Sequence, residues 1–152
     1  MALNISLEVD LEPDEPYRNR ALQILLWTLI DLNVLYLTYH PDTPRLYEAG
    51  VRYMREPYRY EQWIPIPGVL KQRGADCEDL AAWRVAELRV RGFNARPSWS
   101  HHQRKGPDGH PFTMYHIRVW IPGFGFEDPS RVLGMRRPGV PTIPYPSHWR
   151  TA

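Results

Sequence analysis

The sequence holds a single cysteine, Cys77, and it stands where a helix should begin. Asp76 before it is a natural N-cap, and Glu78 and Asp79 follow as first-turn carboxylates. The apolar residues from Leu80 to Val90 then recur at helical spacing until Gly92 stops the run. A thiol at the first or second position of such a helix meets unpaired backbone N–H groups and the positive end of the helix dipole, both of which favour the thiolate. The acidic neighbours Asp76, Glu78 and Asp79 work in the opposite direction, so the thiolate needs a cationic partner. A nucleophilic thiol also needs a base, and the base needs an orienting acceptor. His116, inside the alternating stretch Phe112–Ile121, and Asp128, at the end of the short stretch Phe124–Asp128, supply both. Neighbouring antiparallel strands lie ~4.8 Å apart, so a histidine on one reaches a carboxylate on the next. Glu127 competes for that role, but consecutive strand residues face opposite ways and only one of the two can meet His116. A lone buried cysteine is commonly no more than a small hydrophobe. The downstream His and Asp give Cys77 a chemical reading instead.

The elements that must position these groups follow from the pattern along the chain. Leu3, Ile5, Leu7, Val9 and Leu11 alternate with polar residues, which predicts a strand, either within the domain or added to a partner's sheet edge. Tyr17–Tyr39 reads as one long helix, apolar on most sides. Gln23, Asp31 and Asn33 argue against a membrane span, since a central Asp costs ~3 kcal/mol in lipid. His40–Pro44 ends that helix, and Arg45–Arg55 reads as a short helix closed by Pro57. Gly68 and Gly74 punctuate a loop leading to Cys77. Phe93–Ser100 is a strand, His101–His110 a polar hairpin loop, and Phe112–Ile121 the returning strand. His101, His102 and His110 lack the spacing of a zinc site. From Gly134 the chain is proline-rich, an extended tail with Tyr145 and Trp149 in it.

At 152 residues the chain predicts one domain, residues 1–133, followed by the tail 134–152. A net charge of +2 gives no argument for nucleic acid or membrane. One cysteine excludes an internal disulfide, and the N-terminus lacks a basic segment followed by an apolar one, which predicts a cytoplasmic protein. The apolar helix, the strand arm and the tail together predict a homo-oligomer or a tight protein partner.

Three segments carry a resemblance: Gly74-Ala-Asp-Cys77, Tyr115-His116-Ile-Arg-Val-Trp-Ile-Pro-Gly123 and Phe126-Glu-Asp128-Pro-Ser130. In this order they resemble the transglutaminase-like domain of the papain-like superfamily. Trp63, Pro65 and Arg73–Ala81 are similar to the bacterial transglutaminase-like cysteine proteinases. The resemblance spans about residues 60–130 and implies an α+β fold with a papain-like core, the cysteine helix packed on a small antiparallel sheet behind N-terminal helices. It implies Cys77 as nucleophile, His116 as base and then acid, and Asp128 as the orienting carboxylate. The backbone N–H of Cys77 is one oxyanion donor, and Gln72 and Trp63 are both candidates for the second. The implied reaction is thiol-dependent acyl transfer on a peptide or protein amide, with hydrolysis favoured over transamidation. No cofactor is required, although in some of these proteinases acidic residues flanking the cysteine take part in a calcium site, here Asp76 and Glu78. Ala75 departs from the glycine often found before the Asp-Cys pair. The chain is also similar to stand-alone domains of phage genomes, which implies a rival role: a non-catalytic binding or assembly module, virion-associated in that case.

Overall fold

The computed structural model describes Val9 and residues 15–136. The strand expected over Leu3–Leu11, apart from Val9, and the tail beyond residue 136 lie outside the described residues.

The fold is α+β. Helix α1 (Glu15–Tyr39) leads to a 3₁₀ turn (Leu46–Glu48) and strand β1 (Arg52–Tyr53). Then come α2 (Ile66–Gln72), β2 (Gly74–Ala75) and α3 (Cys77–Val90). A three-stranded antiparallel sheet follows, β3 (Arg96–Lys105), β4 (Pro111–Ile121) and β5 (Gly125–Glu127), in the order β3-β4-β5, and α4 (Pro129–Val132) closes the described chain. β1 and β2 form a separate parallel pair.

α3 is the centre. Every residue from Cys77 to Leu88 is buried, so the helix has no solvent stripe and must be covered from several sides. Ala81, Ala82, Val85 and Ala86 meet Leu22, Leu26, Leu29 and Ile30 of α1 and Ile117, Val119 and Ile121 of β4. Leu80 and Trp83 pack instead with Leu46, Ile66, Val69 and Ala75. The alanines leave room for α1, and the branched residues of β4 fill the sheet side.

Three local expectations change. Arg45–Arg55 is not a helix: Gly50, at φ +68°, breaks it after the 3₁₀ turn, and Arg52 and Tyr53 pair with Gly74 and Ala75. The loop expected around Gly68 winds into α2. Pro67 lies in its first turn, where a missing N–H removes no helical bond, and Ile66 N donates to the buried Asn33 Oδ1 of α1 at 2.9 Å. The polar stretch expected as a loop from His101 is strand through Lys105, because the β3–β4 ribbon stays paired to Lys105↔Pro111. The turn is only residues 106–110, with Gly106 N donating to His110 O at 2.8 Å.

α1 is long and apolar enough to cross a membrane by length and composition, yet its buried stripe is the one that meets α3. Ile24, Leu32, Leu35 and Tyr39 remain exposed. Leu26→Ala should therefore cost ~2–5 kcal/mol of unfolding free energy, and Leu32→Ala less than ~0.5 kcal/mol, measured by urea denaturation.

Candidate active site

Cys77 is the first residue of α3, and Asp76 caps the helix by accepting from Cys77 N through Oδ1 at 2.6 Å. Asp76 Oδ2 accepts from Glu56 N at 3.3 Å. The cap thus joins the Met54–Gln62 segment to the helix start. The thiol is 7% exposed and lies against the β4 backbone, with Sγ 4.0 Å from Tyr115 O. It also donates to Glu78 Oε2 at 3.4 Å.

His116 projects from the middle of β4, opposite Ser100 of β3, and is itself buried. Its Nε2 lies 2.8 Å from Asp128 Oδ2. Asp128 follows directly on β5 and caps α4, with Oδ1 accepting from Arg131 N at 3.2 Å. The alternation along β5 decides between the two acids. Glu127 turns the other way and pairs with Arg84 of α3 at 2.7 Å. Arg84 also binds Glu87 at 2.9 Å, and Tyr47 OH donates to Glu127. This buried network, of which sequence reasoning singled out only Glu127, as the rival of Asp128, ties the end of β5 to α3 and so fixes where Asp128 starts.

The structure therefore joins His116 to Asp128 and sets Cys77 beside the residues flanking His116. No hydrogen bond between Cys77 and His116 is present among the described residues. Of the two oxyanion candidates, Trp63 has its indole N–H engaged, donating to Glu61 Oε1 at 3.0 Å. Gln72 borders a cavity of about 160 Å³ that also touches Met54, Glu56, Asp76 and Asp79 but not Cys77.

The electrostatics of this corner are dominated by acids. Burial first, then the charges of Glu78 and Asp76, pushes the Cys77 thiol well above its ordinary value; a backbone contact with Ile117 acts weakly the other way. The thiol is thus neutral at rest. Burial likewise raises Glu78, with Asp79 adding to it, and raises Glu61. Glu56 is pushed up to about 7, again mainly by burial. Asp79 rises to about 8 through burial, although Ile64 N donates to its Oδ1 at 2.8 Å. Glu56 and Glu61 carried no signal in the sequence: acids in an irregular aromatic-rich segment look like ordinary surface charge.

No family model, curated protein or solved structure matches the chain.

A carboxyl group whose pKa is raised by folding favours the folded state while protonated. For Asp79 that contribution is fully present below the ordinary value of 3.8 and is lost as pH rises through about 8. Asp79→Asn keeps an oxygen for Ile64 N but removes the titration. Its melting temperature should fall less than that of the unaltered chain between about pH 4 and about pH 8, as scanning calorimetry would show.

Proposed function

We propose that the protein is a thiol-dependent acyl-transfer enzyme acting on peptide or protein amides, with Cys77, His116 and Asp128 as its working groups. The observation that carries this reading is the part-buried His116–Asp128 pair, 2.8 Å long, with Tyr115, the residue before His116, holding its carbonyl 4.0 Å from Sγ of the one cysteine. We also propose that α3 on the three-stranded sheet is the papain-like core of the transglutaminase-like domains that the sequence resembles.

In the proposed reaction the Cys77 thiol passes its proton to His116 Nδ1 as Sγ attacks the amide carbon. Asp128 holds the ring through Nε2 and stabilises the imidazolium that forms. The tetrahedral oxyanion is met by the Cys77 backbone N–H at the start of α3, which must leave Asp76 Oδ1, its acceptor at 2.6 Å, to do so. Gln72 and Trp63 both stay candidates for the second donor, and the Trp63 N–H would likewise have to leave its acceptor. Collapse breaks the C–N bond, His116 returns the proton to the leaving amine, and a thioester on Cys77 remains. Water attacks that thioester, giving a proton to His116. The Cys77–acyl bond then breaks, the carboxylic acid leaves, and the proton returns to the thiolate. Hydrolysis is preferred over transamidation because no amine site is specified. No cofactor is required.

Burial of the thiol favours a second reading, a non-catalytic binding or assembly module. Cys77 is 7% exposed, and its proton is held by Glu78. The apolar residues left exposed on α1 support a second copy or a protein partner under either reading. The cytoplasm, or a virion for a phage-encoded assembly module, is the proposed location.

Asp76, Cys77 and Glu78 each bring one possible ligand atom within 4.8 Å of the other two, so calcium at Asp76 and Glu78 stays a proposal. Each Asp76 oxygen already accepts a backbone N–H, from Cys77 and from Glu56. No step depends on such an ion.

A cysteine-directed vinyl sulfone tests the enzyme reading. It should alkylate Cys77, and His116→Ala should slow the labelling by at least ~100-fold, the range in which a positioned base contributes. Equal rates in the two proteins would favour the binding module.

A further inference from the structure

The outer face of the three-stranded sheet carries an aromatic groove that the proposed chemistry does not use. Residues directly opposite one another on neighbouring strands share a face. Arg96 of β3, Trp120 of β4 and Phe126 of β5 form one such row across the sheet. Ile117, Val119 and Ile121 of β4 point the other way, into the core, so this row faces away from α3. The groove holds about 530 Å³ and is lined by these three residues with Pro97, Ser98 and Trp99. The Trp120 and Phe126 rings meet edge to face, with centroids 4.7 Å apart and planes at 60°. The Arg118 guanidinium lies 4.4 Å from the Phe126 ring and braces it. Phe126 is nevertheless 54% exposed, a large apolar ring held in position and left open to solvent. Among the described residues, neither the Trp120 indole N–H nor the Arg96 guanidinium has a hydrogen-bond partner.

The chain beyond the described residues contains a segment of matching chemistry. Pro138, Pro141 and Pro144 recur at every third position of Pro138-Gly-Val-Pro-Thr-Ile-Pro-Tyr-Pro146. Three residues make one turn of a polyproline II helix, so this spacing suits three prolines along one edge of such a helix. Aromatic-lined grooves are the usual receptors of segments of this type. A polyproline II backbone makes no internal hydrogen bonds, so its carbonyls take outside donors, which Trp120 and Arg96 can supply. No residue from 138 to 146 is charged, so the cations Arg96 and Arg118 do not repel the segment. The groove is also within reach. The described chain stops at Arg136, ten residues after Phe126. At ~3.1 Å per residue the stretch 138–146 covers ~28 Å, about twice the ~14 Å radius of gyration of a domain this size.

We infer that residues 138–146 dock as a polyproline II ligand in the Arg96–Trp120–Phe126 groove of their own chain. The prolines lie against the two rings, and the backbone carbonyls face the Trp120 N–H and Arg96. A tethered segment meets its groove at an effective concentration in the millimolar range, which a second copy does not reach at micromolar protein. Neither Cys77 nor His116 takes part, so the proposal stands or falls independently of the acyl-transfer reading.

The test places the photo-crosslinking residue p-benzoylphenylalanine at Ile143 of the full chain and maps its crosslinks by peptide mass spectrometry at micromolar protein. The crosslinks should concentrate on the peptides that carry Trp120 or Phe126, in species of monomer mass. Trp120→Ala and Phe126→Ala should each reduce that yield by at least ~10-fold, the scale on which aromatic anchors act. Phe126 is 54% exposed on the outer face, so Phe126→Ala should melt close to the unaltered chain and keeps the test decisive if Trp120→Ala unfolds. Pro141→Ser/Pro144→Ser should lower the yield as well, because the polyproline II backbone is then no longer preset. Crosslinks scattered over the surface, or a yield unchanged in Phe126→Ala or in the double proline variant, would overturn the proposal. So would a groove crosslink confined to species of dimer mass, which would give the groove to a second copy's tail.

Discussion

The burial of α3 on every side is the constraint from which the rest of the structure follows. A helix without a solvent stripe must find a partner for each polar side chain it carries, because an unpaired buried charge costs far more than a hydrogen bond returns. Arg84 meets Glu127 and Glu87. Glu87 also accepts from Leu46 N at 3.1 Å, which draws the 3₁₀ turn onto the helix. Asp79 takes Ile64 N at 2.8 Å and so sets the approach to α2. The layout around α3 is in this sense a set of answers to its buried polar groups.

The same constraint places the thiol. Cys77 can only be the first residue of a buried helix if the chain before it is held, and Asp76 does this by capping α3 with one oxygen and binding Glu56 N with the other. β4 supplies the wall beside Sγ. The Arg84–Glu127 ion pair holds the end of β5, from which Asp128 follows directly to reach His116. One helix therefore bears on the proposed nucleophile and the proposed base by two routes: its N-terminus carries Cys77, and its middle anchors the strand end from which Asp128 reaches His116. The cost is an acidic neighbourhood, which holds the thiol in its neutral form. A proton acceptor at His116 is then essential to the proposed chemistry rather than an accessory.

What was legible in the sequence was what depends on adjacent residues. The cap, the first-turn acids, the length of α1 and the opposite facing of Glu127 and Asp128 all follow from spacing of one to four positions, and the structure shows each of them. α2 was not legible, because its start rests on Asn33, 33 residues earlier in the chain. The outer half of β3, from His101 to Lys105, reads as a loop because its residues are all exposed, so no hydrophobic alternation marks them. Glu56 and Glu61 become notable only when the fold brings them to Glu78.

The central claim is that Cys77 carries an acyl group during turnover. The most direct measurement is mass spectrometry of the intact chain, quenched in acid while it processes an activated acyl ester, followed by peptide mapping. The account predicts an acyl adduct on Cys77 that builds and decays with time, and that is absent or greatly diminished in His116→Ala. A chain that remains unmodified at Cys77, or that acylates equally without His116, would contradict it.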